Sequence, residues 1–178
     1  HEPDAVLIFE PVEEGTGDNG SNHEVTLYFR PLAGRDTTEF YADARYGEFW
    51  VGPRPTLKEF SERFGLRTRD LSELEVAITK NAGNQGLGGV NIRLVRNVDP
   101  AVDALVDTSR YNTGVELEQA DKLDSELAVA LSEARLIKDA IEVENLQRSV
   151  DMTVKGFEEV IRELPKAKEH HRGERVVE

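Results

Sequence analysis

Residues 136–164 read LIKDAIEVENLQRSVDMTVKGFEEVIREL, and the rest of the chain is interpreted around them. Asp139 has the short acceptor side chain that suits a helix N-cap, and Glu142 three residues on completes a capping box. From there Ile141, Leu146, Val150, Val154, Phe157, Val160 and Ile161 recur every three or four residues. That spacing puts them on one apolar face with a 3.6-residue period, and Pro165 is expected to stop it. A helix of about seven turns is long for a globular domain, so it is expected to join two bodies of structure. Only fourteen residues follow it, which points to a fragment.

Working back from this helix, residues 117–134 carry Leu123, Leu127, Ala128, Leu131 and Ala134 at helical spacing. Asp99-Pro100 reads as the N-cap and first position of a helix carrying Val102, Leu105 and Val106, with a loop at 111–113. Residues 90–95 (VNIRLV) alternate apolar and polar, which predicts a strand with one wet face. Asp70 is placed to cap a helix over 71–80, with Leu71, Leu74 and Ile78 inward. Thr56 is placed to cap another over Leu57–Phe64 that ends at Gly65. Nearer the start, 5–9 (AVLIF) is a continuous apolar run of strand length ended by Pro11, expected to be buried on both faces. A Gly- and Asn-rich loop over 13–23 leads to a second strand at 24–29 (EVTLYF), which suggests a hairpin. Residues 48–51 (EFWV) are read as a strand end that breaks into the turn Gly52-Pro53-Arg54-Pro55. The sum is an α/β fold: a small mixed sheet flanked by helices, followed by a long connecting helix.

Composition excludes several functions. Among 178 residues there are 35 acidic and 22 basic side chains, a net charge of −13, which repels a phosphate backbone or an anionic membrane surface. There is no cysteine, hence no disulfide frame, thiol nucleophile or thiolate metal site. No apolar run approaches the roughly 18 residues that span a bilayer. The chain opens HEPDAVLIF without a basic flank or a methionine, so the start looks cut and the cytoplasm is the default location.

The candidates for chemistry are few. Residues 83–89 (GNQGLGG) are glycine-rich, but a phosphate loop follows a strand and opens a helix, whereas here the order is reversed. A helix-to-strand connection is the favoured reading. His170 and His171 are adjacent, so on a helix they diverge by about 100° and chelate poorly; they are read as part of a solvated linker, and no metal ligand is assigned. The carboxylates read as a solvated surface, and no serine sits in a nucleophile elbow. Trp50, the one tryptophan, is read as core or interface packing or as a ligand contact at a rim. Arg54 follows the same turn and is expected to present its charge there. Arg110, in 108–111 (TSRY), is read as an exposed loop arginine.

Three stretches resemble one family in order. HEPDAVL at 1–7, Arg35-Asp36 followed by EFWVGPR at 48–54, and ARLIKD at 134–139 with EVENL at 142–146 are similar to motifs in the N-terminal, non-catalytic domain of Xaa-Pro aminopeptidases, within the creatinase and prolidase group. Residues 37–47 read as an insertion against that pattern. The resemblance implies a ribonuclease H-like α/β domain over 1–134, its first strands missing. Residues 135–178 would be a connecting helix and the start of an otherwise absent pita-bread catalytic domain. In that domain two Asp, one His and two Glu hold a pair of divalent metals, usually manganese, and a bridging water attacks the bond before proline. None of those ligand motifs occurs here, so no catalytic residue and no cofactor is assigned to this piece.

What the resemblance implies for this piece is accessory. It would support a homo-oligomer, dimer or tetramer, and pack on its own catalytic domain. Trp50, Arg54 and Arg110 are candidates for the substrate rim or the subunit interface, with peptide as the substrate of the parent. A prolidase or amidinohydrolase part is the first alternative. The second is a free-standing interaction module built on the C-terminal helices.

Overall fold

The computed structural model describes residues 2–80 and 90–176, so His1 and the glycine-rich stretch 83–89 lie outside the described residues. Two compact units divide it, His1–Ala128 and Val129–Glu178.

The first unit is built on a three-stranded mixed sheet in the order β1-β2-β3, the α/β arrangement expected. Strands β1 (Val6–Pro11) and β2 (His23–Phe29) pair antiparallel, from Val6 opposite Tyr28 to Pro11 opposite His23. The connecting loop is pinned by Asp18, whose Oδ2 accepts from the Val25 amide at 2.6 Å. β2 then pairs parallel with β3 (Arg67–Asp70). β3 reads RTRD, a polar four-residue strand without the β-branched signature that would announce it; its place comes from the helix before it.

That helix is α3 (Leu57–Phe64), which begins and ends as its sequence requires. The Thr56 hydroxyl accepts from the Glu59 amide while the Glu59 carboxylate accepts from the Thr56 amide, and Gly65 closes the helix at φ +65°. α3 lays Phe60 against Phe29 with ring centroids 4.7 Å apart, and Phe29 is wholly buried. The Thr68 hydroxyl donates to the Leu57 carbonyl at 2.7 Å, fastening β3 to the same helix. A short 3-10 turn (Leu71–Glu73) started by Asp70 runs into α4 (Leu74–Thr79), with Leu74 buried.

The remaining elements depart from expectation in instructive ways. β1 is not buried on both faces: it alternates, with Leu7 46% and Phe9 59% exposed. A continuous apolar run thus carries a half-exposed side. Residues 48–51 form a helical turn, α2 (Glu48–Val51), preceded by α1 (Thr38–Ala42), rather than a strand end. Residues 91–95 make no strand; Val90 forms an isolated bridge. Their backbone groups are taken by side chains instead, the Leu94 amide by Asp124 and the Ile92 carbonyl by Arg110. α5 (Pro100–Asn112) starts under the Asp99 cap and continues through Tyr111 and Asn112, where a loop was expected. α6 (Leu117–Ala134) has the expected bounds, but its inward residues are Ala120 and Asp124.

The second unit is dominated by α7 (Ala140–Glu169), 30 residues and so about 45 Å long. Its capping box is formed: the Glu142 amide donates to Asp139 at 2.8 Å and the Asp139 amide to Glu142 at 2.9 Å. The helix does not stop at Pro165 but runs through it to Glu169. The proline forfeits one bond, to the carbonyl of Ile161, and that residue is exposed, so water can serve the orphaned oxygen. Ile141, Leu146, Val150, Val154, Phe157, Ile161 and Leu164 form the apolar face and are all exposed. A 3-10 turn (Gly173–Val176) folds back so that Val176 lies beside Phe157 and Val160.

Phe29→Ala is expected to cost about 3–5 kcal/mol by emptying the contact that joins sheet to α3. Asp139→Ala is expected to cost about 1 kcal/mol through its cap alone. Urea unfolding followed by circular dichroism checks both, and equal losses would contradict the distinction.

Candidate functional site

Two clusters of charge organise the first unit, and the sequence motifs fall on the first of them. α2 is only four residues long and is fixed from outside. Gly47 precedes it, where a Cβ would lie 2.5 Å from the carbonyl oxygens of Asp43 and Glu39, so only glycine fits. The Glu48 carboxylate turns back and accepts from the Ala33 amide at 2.7 Å and the Gly34 amide at 3.4 Å. Burial opposes its charge, but these amides and the nearby Arg54 outweigh burial and hold its pKa below the ordinary value.

Arg54 closes the other end. It does not present its charge at a rim: it is 8% exposed and bonded to three acceptors. Its guanidinium donates to Glu2 at 3.0 Å, to the Tyr46 carbonyl at 3.3 Å and to the Arg30 carbonyl. Arg30, Arg45 and Arg54 surround the buried Tyr46 ring, with centroid distances of 4.6, 5.7 and 5.0 Å. Arg30 pairs with Glu39 and Arg45 with Asp4. The motifs at 1–7 and 48–54 are therefore one physical unit, joined by the Glu2–Arg54 ion pair.

Trp50 points the other way. It is 61% exposed, and its Nε1 donates to the Tyr41 carbonyl at 2.7 Å. Phe49 stands edge-on to it at 5.1 Å, and Tyr41 lies 5.8 Å from Phe49. The three rings, with Val51, make an exposed apolar surface on α1 and α2.

The second cluster holds Arg110, which lies in the last turn of α5 and is 5% exposed, not an exposed loop residue. It grips Asp124 with two nitrogens at 2.9 and 2.6 Å and donates to the Ile92 carbonyl at 2.6 Å. Asp124 also accepts from Arg96 Nε at 2.6 Å, and Arg96 reaches Asp107 at 2.6 Å. Burial alone would raise the Asp124 pKa; Arg110, the Leu94 amide and Arg96 together bring it below the ordinary carboxylate value. The Arg96 pKa is raised, chiefly by its bond to Asp107. Sequence reading passed over Asp124. The signal was present: Ala120, Asp124 and Leu127 share a helical stripe, and an acid on such a stripe needs a buried cation.

The structure therefore separates the three candidates. Trp50 is presented to solvent, Arg54 is buried beneath the same helix, and Arg110 is a clamp in another cluster. Among the described residues no group of three or more His, Asp or Glu side chains is disposed to hold a metal ion, and no helix is long and apolar enough to cross a membrane.

Comparison with known proteins agrees with the motifs. Xaa-Pro aminopeptidase 1 of Streptomyces coelicolor is 36% identical over 164 residues, 92% of this chain and 28% of the relative. Over nearly all its length, this chain is similar to part of an Xaa-Pro aminopeptidase. The same match is found with Xaa-Pro aminopeptidase 1 of Streptomyces lividans, and Xaa-Pro aminopeptidase 2 of S. coelicolor is 35% identical over 164 residues, 30% of its own length. The chain thus spans under a third of the curated relatives it matches. No family model and no solved structure matches.

Asp124→Asn leaves the Arg110 guanidinium buried without its counter-charge and is expected to cost about 3–5 kcal/mol. Because the folded pKa of Asp124 is depressed, its contribution is complete above the unfolded value near 4 and is lost as pH falls through it toward the folded value. Urea midpoints from pH 7 to pH 3 should fall less steeply in the Asn variant than in the parent.

Proposed function

We propose that this chain is the N-terminal, non-catalytic part of a proline-specific metallo-aminopeptidase. The whole enzyme would hydrolyse the bond between a first residue and a following proline. The observation that carries the reading is the 36% identity over 92% of the chain to an Xaa-Pro aminopeptidase. The three motifs, two of them joined through Glu2 and Arg54, support the same assignment.

In this reading the chemistry belongs to the remaining length of the enzyme, where two divalent metals, manganese by preference, would activate the attacking water. The part described here would contribute a surface. Trp50 stands at the substrate rim or at the interface of a homo-oligomer, supported by its exposure on an anchored helix. Arg54 acts beneath it as the anchor rather than as a contact. The apolar face of α7 packs against the catalytic domain, which would remove seven large side chains from water. A cytoplasmic site of action goes with this reading, since a cysteine-free sequence needs no oxidising compartment.

The same exposed face favours one other reading, an interaction module that binds a separate protein through its C-terminal helices. Covalent continuity decides between them. The gene sequence beyond Glu178 should encode the Asp, Asp, His, Glu, Glu ligand set, and the product should cleave an Xaa-Pro peptide in a manganese-dependent way. Absence of that ligand set, or an inactive full-length product, would remove the enzyme reading. Cleavage restricted to dipeptides would make it a prolidase.

In the active full-length enzyme, Trp50→Ala is expected to raise KM for a tripeptide about tenfold, equivalent to about 1.4 kcal/mol, with kcat little changed. Phe157→Glu is expected to weaken docking of the two parts. Limited proteolysis near residue 135 should then be faster in the variant than in the parent.

A further inference from the structure

Helix α2 fixes the backbone of Trp50, but an indole standing in solvent still has two free torsions. Its single polar handle is the ring N–H. Here that N–H is spent on the Tyr41 carbonyl at 2.7 Å, and the ring is backed edge-on by Phe49. The backing continues: Phe49 meets Tyr41, and Tyr41 meets Phe40 at 4.7 Å, so four rings stand in series.

The carbonyl that receives the indole is itself held. Tyr41 lies in α1, whose start is capped by Thr37: its hydroxyl accepts from the Phe40 amide at 3.4 Å and donates to the Gly34 carbonyl at 2.9 Å. Glu39 of the same helix is paired with Arg30. Without α1 the indole would have neither its acceptor nor the far rings of its support.

An aromatic side chain already fixed in one orientation loses little entropy when it meets a ligand, which is how preorganised contact residues gain affinity. We propose that Tyr41 and Phe49 are positioning residues for Trp50, and that α1 is the splint that holds the indole face ready for the peptide substrate. This rests on the reading of Trp50 as a substrate-rim residue. Residues 37–47, read from the sequence as an insertion, would thereby have a role.

Trp50 is the only tryptophan, so the emission of the 178-residue chain reports this one side chain. Tyr41→Ala keeps the backbone carbonyl and suits a helix, so it removes the ring alone. It and Phe49→Ala are each expected to raise acrylamide quenching about twofold and to lower steady-state anisotropy, the scale of one aromatic pair. Tyr41→Phe, which keeps the ring, should match the parent, and far-UV circular dichroism should be unchanged throughout. In the full-length enzyme, Tyr41→Ala should raise KM for a tripeptide about threefold with kcat unchanged, and Tyr41→Phe should not.

Parent-like quenching and anisotropy in both alanine variants would overturn the positioning role, whatever the kinetics. A full KM effect of Trp50→Ala with none from Tyr41→Ala would do the same while sparing the rim reading. If Trp50→Ala leaves KM unchanged, the rim reading fails, and the emission measurements still decide whether Tyr41 and Phe49 hold the indole.

Discussion

A guanidinium withdrawn from water must be met by acceptors on every side, and Arg54 imposes that demand on the first unit. Its acceptors come from three separated places: the Glu2 carboxylate, the carbonyl just past β2 and the carbonyl of Tyr46. Satisfying one side chain therefore fixes the start of the chain, the exit of the central strand and the approach to α2 relative to one another. Tyr46 fills the space between them, faced by three cations that are each paired to an acid. The arrangement leaves Trp50 on the opposite side of a four-residue helix with nothing to do but face outward. Charge inward and aromatic outward is the logic of the EFWVGPR motif.

Where structure is local, the sequence spoke clearly. Thr56, Asp139 with Glu142, and Asp99 before Pro100 each announced a helix start that the structure forms. These signals depend on atoms three residues apart, and no tertiary contact can hide them. The hairpin was legible because its two apolar runs are adjacent in sequence and separated by a loop rich in Gly and Asn. Legibility failed where distant partners decide. Residues 90–95 have the alternation of a strand, yet Asp124 and Arg110, far along the chain, claim their backbone groups. β3 has no strand signature because α3 and β2 supply its reason to be extended. Arg54 and Arg110 looked like surface charges because most arginines are; only their partners make them interior residues. Of the three residues singled out from the sequence, Trp50 alone is exposed; Arg54 and Arg110 are buried.

The two units differ in how their apolar groups are used. In the first, Phe29, Val106 and Tyr28 are enclosed and the charges are drawn into ordered clusters. In the second, the regular apolar stripe of α7 is written as clearly as any core, yet its side chains stand exposed. A stripe of that period is a statement about a surface to be covered. The relatives are more than three times as long as the matched stretch.

The two pairings in the sheet close very different stretches of chain. The turn between β1 and β2 spans residues 12–22, whereas the parallel pair of β2 and β3 brackets residues 30–66. On loop-closure grounds the longer bracket costs about 1 kcal/mol more, and β3 has only four polar residues with which to offset it. Its tenure in the sheet is supported by α3, through the Thr68 hydroxyl and the Phe29–Phe60 contact, and by the Arg67 pairs with Asp18 and Glu24. Loss of α3 would remove the Thr68 and Phe29 contacts, whereas the β1–β2 ladder and the Arg54 bonds to Glu2 and to the Arg30 and Tyr46 carbonyls do not depend on it.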